Sequence, residues 1–118
     1  MCEIAEVYKI DPRKARNEHR CADCHGTIRV GEIYHFHHGV FDGSGFSNHV
    51  CADCEQLRKD VDKDNRDIYE QTCVEELCDA VFATGDEALM RRFIETKIKR
   101  GCAVQPWMTK RLAESANE

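Results

Sequence analysis

Cys21-Ala-Asp-Cys24 and, 26 residues later, Cys51-Ala-Asp-Cys54 decide how this chain is read. Two residues between cysteines let both sulfurs approach one ion at ~2.3 Å, and two such pairs complete a tetrahedron. Cys21, Cys24, Cys51 and Cys54 are therefore the predicted ligands of one structural Zn2+. A closed shell of four thiolates leaves no position for water or substrate, so the ion is expected to supply folding free energy rather than chemistry. The competing use of Cys-x-x-Cys is redox exchange on a thioredoxin-like fold. That fold needs a βαβ pattern around one motif, and the residues between these two read as a hairpin.

Ile28 to Val30 and Ile33 to Phe41 are rich in β-branched and aromatic residues. Tyr34, Phe36, His38 and Val40 alternate there with His35, His37 and Gly39, a period of two. Asp42-Gly43-Ser44-Gly45 supplies turn residues that tolerate positive φ, and Phe46 to Val50 returns as the second strand. Gly26 is expected to let the backbone curl past the sulfurs of the first pair. Upstream, Ile4 to Ile10 is an apolar stretch suited to an edge strand. From Cys54 the period turns helical, with Leu57, Val61, Ile68 and Tyr69 on one face. Thr72-Cys73-Val74-Glu75 fits a capping box for a second helix, with Val74, Leu77, Val81 and Phe82 as its stripe and Gly85 at its end. Asp86 and Glu87 open a third, whose expected buried face is Leu89, Phe93, Ile94 and Ile98. Pro106 suits the first turn of a last helix carrying Trp107, Met108 and Leu112. Met90, Phe93, Ile94, Trp107 and Met108 read as core rather than as a docking stripe.

A rubredoxin-like iron site would use two equivalent knuckles, but the first pair here runs into a glycine and a hairpin while the second runs straight into a helix. Knuckle, hairpin and helix, with the last ligands in the helix's first turn, resembles the treble-clef zinc fingers. The stretch His19-Arg-Cys21-x-x-Cys24, Ile28-x-x-Gly31-Glu32-x-Tyr34, Gly39-Val40-x-Asp42-Gly43, Cys51-x-x-Cys54-x-x-Leu57-Arg58 also resembles small treble-clef proteins of bacteriophages and prophages. The resemblance covers residues 17–61 and implies no reaction, because such fingers host DNA-binding, adaptor and nuclease functions alike. The expected fold class is α+β. It divides into a polar lead-in over 1–18, a treble-clef zinc-binding region over 19–70, helices packed on it over 71–113, and a frayed tail over 114–118.

Cys2, Cys73, Cys78 and Cys102 make no obvious second site; Cys73 and Cys78 are five apart on an expected helix and read as small buried residues. His19 and His49 each precede a ligand cysteine by two residues and His25 follows one, so each is placed to replace a ligand or to hydrogen-bond a sulfur. His35, His37 and His38 form a row expected to face solvent or a partner. A metal-dependent nuclease built on a treble clef would need these histidines around a second ion, an Asp-His at a strand end and a downstream Asn or His on the helix. This chain departs from that pattern, with Asn48-His49 before the cysteines and only Asn65 on the expected helix.

The chain has 118 residues, 33% of them charged, and a net charge of −5. That suffices for one small core and excludes a multi-domain enzyme. No apolar run approaches the ~18 residues of a membrane span, and the first residues lack a signal peptide's apolar centre. The expected location is the cytoplasm, of the host cell if the chain is phage-encoded, where eight cysteines point to metal. The charges are segregated: residues 60–87 hold ten acids against two bases, and residues 91–118 hold seven bases against three acids. The acidic segment, with Asp60, Asp62, Asp64, Asp67 and Glu70, suits the basic grooves of a nucleic-acid-handling protein complex. The expected function is thus a non-catalytic interaction module that binds and modulates a host complex, for instance a defence complex such as a CRISPR effector. The alternative is nucleic-acid binding through the basic 91–111 region, with Arg91, Arg92, Lys97, Lys99 and Arg100, together with Arg13 to Arg20 and the finger as scaffold. It is disfavoured by net charge and by the lack of aromatic residues among those bases.

Overall fold

The computed structural model describes residues 7–62 and 75–116. Strand β1 (Val7–Lys14) lies antiparallel to β4 (Ile33–Phe41), which pairs in turn with β5 (Ser44–Cys51), giving a three-stranded sheet ordered β1-β4-β5. The short strands β2 (His19–Arg20) and β3 (Thr27–Ile28) form a separate ribbon that frames the first cysteine pair. Helices α1 (Ala52–Asp62), α2 (Leu77–Thr84), α3 (Glu87–Lys99) and α4 (Pro106–Ala116) follow. The structure is thus a small mixture of antiparallel sheets and four helices among the described residues.

Of the edge strand expected at Ile4 to Ile10, Val7 to Ile10 is strand and runs on through Asp11-Pro12-Arg13-Lys14, while residues 4–6 lie outside the described residues. Proline has no N–H to give a ladder, and it is tolerated here because β1 is an edge. The hairpin turn is tighter than expected: only Asp42 (φ +50°) and Gly43 (φ +78°) separate the strands, both left-handed as a type I′ turn requires. Register fixes the faces. Ile10, His37 and Asn48 lie side by side on one, and Asp11, Phe36 and His49 on the other. His37 meets Glu55 of α1 on the first face, so α1 covers that side.

The helical half follows the sequence closely at two caps. Gly85 ends α2 at φ +70°, and the Asp86 carboxylate accepts from the N–H groups of Ala88 and Leu89 at the start of α3. Two expectations fail. Glu75 is not the third residue of a capped helix: it sits ahead of α2 at φ +77° and gives its N–H to Asp23 Oδ1 at 2.8 Å, while Thr72 to Val74 lie outside the described residues. Ile98 is 64% exposed rather than buried, and Met90, Phe93, Ile94 and the stem of Lys97 fill that face. Of the five residues expected in the core, Met90, Phe93, Ile94 and Met108 are there. Trp107 stays half-exposed, its ring edge on Phe82 at 4.9 Å. One apolar cluster runs from the four cysteines through Val50, Leu57, Val81 and Phe93 to Met108.

Gly26 is small for a reason the sequence did not suggest. A Cβ there would stand 2.3 Å from Cβ of Arg100, the C-cap of α3, so glycine admits the end of that helix against the knuckle. Gly26→Ala must push α3 away from the cysteines. We expect a loss of about 1–3 kcal/mol, measured by urea unfolding of the metal-loaded protein; an unchanged midpoint would show that the helix end yields freely.

Candidate metal centre

Cys21 and Cys24 lie in the turn between β2 and β3, Cys51 ends β5, and Cys54 sits in the first turn of α1. Their four sulfurs lie within 4.8 Å of one another, and all four residues are fully buried. The Sγ atoms of Cys24 and Cys51 are 3.9 Å apart, close to the ~3.8 Å edge of a tetrahedron with 2.3 Å metal–sulfur bonds. Backbone N–H groups aim at the sulfurs: Asp23 and Cys51 donate to Cys21, Gly26 to Cys24, and Cys54 to Cys51, each at 3.4 Å. Such donors favour thiolates. Crowding also splits the acidities: hydrogen bonds from Cys24, Cys51 and Cys54 hold Cys21 far below the thiol range, while those with Cys21, Cys24 and Cys51 push Cys54 far above it. Four sulfurs this close ionise together only around a cation, and the all-sulfur donor set fits zinc.

The centre is surrounded by buried charge that the tetrads themselves organise. The Asp in each Cys-Ala-Asp-Cys takes an arginine. Asp23 accepts from Nη2 of Arg58 on α1, and Asp53 from Nη2 of Arg100 at 3.0 Å. Arg100 also reaches Glu32 at 2.7 Å and the Thr27 carbonyl at 3.0 Å, tying α3 to the knuckle ribbon. Lys97 is only 5% exposed, and its Nζ donates to the Cys24 carbonyl at 2.8 Å. Burial works against the charge on both guanidiniums, yet their carboxylate partners hold both above the ordinary range. Three buried cations thus stand around a site whose zinc-loaded form carries a formal −2.

A second chain of contacts starts at Arg58. Its Nη1 donates to Glu55 Oε2 at 3.3 Å; the same oxygen accepts from His37 Nε2 at 2.7 Å, and the Tyr8 hydroxyl and His37 Nδ1 share a hydrogen bond at 2.5 Å. A carboxylate only accepts, so Nε2 is the donor to Glu55. His37 is 1% exposed, which corrects the expectation of a histidine row facing solvent. The sequence signal for these support residues was the repeated Asp of the tetrads; nothing local marked Arg58, Lys97, Arg100 or His37.

The residues expected to bind partners are placed unevenly. Asp60 accepts from Gln56 at 3.1 Å and from Arg92 at 2.7 Å, and Asp62 ends α1; Asp64, Asp67 and Glu70 lie outside the described residues. The five bases of the alternative reading form no open basic face. Arg91 pairs with Glu87, Arg92 with Asp60 and Lys99 with Asp53, while Lys97 and Arg100 are buried at the metal centre. His19 and His49 stack on each other at 4.0 Å instead of converging on an ion, His25 is exposed, and Asn65 lies outside the described residues. No helix among the described residues is long and apolar enough to cross a membrane. No protein-family model, curated protein or solved structure matches the chain.

Proposed function

We propose that this protein is a zinc-stabilised, non-catalytic interaction module of treble-clef architecture that binds a host protein complex and modulates or inhibits it, as a phage-encoded factor would. One observation carries the reading: the four sulfurs are fully buried and three of them accept from backbone N–H groups, so an ion held by all four has no open position for a substrate. The order of knuckle, hairpin and α1, with Cys54 in the first helical turn, supports the treble-clef description. The acids from Asp60 to Glu70 supply the contact surface, suited to a basic groove that otherwise holds nucleic acid, such as that of a CRISPR effector. The quadruple variant Asp62→Asn, Asp64→Asn, Asp67→Asn, Glu70→Gln tests it. Partners captured by the wild-type chain should be lost by the variant, with one zinc per chain retained by both. Capture that survives neutralisation would remove the acidic segment from the interface.

A further inference from the structure

The outer face of the sheet, opposite α1, carries a row of rings in contact. His38 lies 5.1 Å from Phe36, Phe36 lies 5.4 Å from His49, and His49 stacks on His19 at 4.0 Å. Register places Lys9 and Arg13 of β1 on that same face, and the Arg13 guanidinium sits 4.2 Å over the Phe36 ring. The acid among them, Asp11, is already engaged by His38 at 2.7 Å and by Arg13 at 3.7 Å. Residues 7–20 hold five bases against two acids, the reverse of residues 60–87.

We propose that this face binds single-stranded nucleic acid, a function beyond the protein contact assigned to the acidic segment. Ring faces accept the π-face of any base, and the flanking cations meet phosphates. A duplex keeps its base faces in its own stack and offers these rings nothing to stack on. An acidic peptide would use Lys9 and Arg13 but not the rings. The net charge of −5 does not bar the ligand, because ten of the acids lie at 60–87 whereas residues 7–20 are net basic. Little base preference follows, since the rings give stacking and not edge-reading hydrogen bonds.

The test titrates the zinc-loaded full chain into fluorescein-labelled oligo(dT) and oligo(U), read by anisotropy at low and at near-physiological salt. Binding is expected, with a logarithmic salt slope of about −0.7 for each phosphate neutralised. Lys9→Glu with Arg13→Glu, both on the exposed edge strand, should weaken it about tenfold or more and flatten that slope. Phe36→Leu should weaken it severalfold while leaving the slope unchanged. The helix variant Arg91→Glu with Lys110→Glu, and the quadruple acid variant above, should bind as the wild type does. Absence of binding at low salt would overturn the proposal, as would equal affinity for a duplex, affinity kept by the edge-strand variant, or oligoglutamate binding as tightly as oligonucleotide. None of these outcomes touches the capture experiment on the acidic segment, so the two readings fail separately.

Discussion

Chelating the metal, or replacing Cys51 with serine, unfolds the entire chain and not the knuckle alone. The four cysteines belong to the same buried cluster as Leu57, Val81, Met90 and Phe93, so no apolar core remains intact once the sulfurs separate. A structural zinc contributes on the order of 10–16 kcal/mol at neutral pH, as much as or more than the ~5–15 kcal/mol by which ordinary domains are stable. Without the cation, the backbone N–H donors face sulfurs that cannot ionise together. Trp107 provides the readout, because it lies in α4 with its ring against Phe82, far along the chain from any ligand. Stepwise chelation should shift its fluorescence in one transition coincident with the loss of helical circular dichroism, and zinc should restore both. A Trp107 signal that stayed native after the metal had left would show that the helices fold on their own, and the single-core account would fail.

The parts legible in the sequence are those whose causes are local. Cys-x-x-Cys spacing, Asp42-Gly43 at the turn, Gly85 after α2 and Asp86 before α3 each act within a few residues, and each stands where the sequence placed it. Local pattern fails where a distant partner decides. The period of two in β4 separated two faces but did not say which one α1 would cover. The side bearing His37 and Val50 meets α1, where Glu55 accepts from the imidazole, while Phe36 on the other side is only partly buried. The helical period put Ile98 in the core, yet Lys97 takes the inward position because a carbonyl of the knuckle needs a donor. Glu75 had the right spacing for a cap, but its N–H went to Asp23, 52 positions earlier. Three of the five bases of 91–100 meet acids that only the fold brings beside them, Arg92 with Asp60 and Lys99 with Asp53 on α1, and Arg100 with Asp53 and with Glu32 ahead of β4.

Arg58→Met should be the most damaging change outside the cysteines, costing about 3–5 kcal/mol in the zinc-loaded protein. Arg58 and its two acceptors, Asp23 and Glu55, are all nearly excluded from water. Burial pushes the Asp23 carboxyl up against the pull of the guanidinium; Glu55 is buried too, but the hydrogen bond from His37 brings it below the ordinary range. Methionine fills the space and leaves two buried carboxylates beside a zinc–thiolate core that is itself negative, so the cost is an uncompensated charge and not a cavity. Lysine should recover little, because a single ammonium cannot span two carboxylates as the planar fork does. Asp23→Asn offers the internal check. Its amide oxygen can still accept from Glu75, so alone it should cost less than Arg58→Met, and in the Arg58→Met background it should restore part of the loss by deleting a charge that nothing offsets. Urea unfolding of the two single variants and the double variant measures the coupling. A loss below ~1 kcal/mol for Arg58→Met would group this pair with exposed ones such as Arg91–Glu87, and the charges around the cysteines would then be solvated rather than structural.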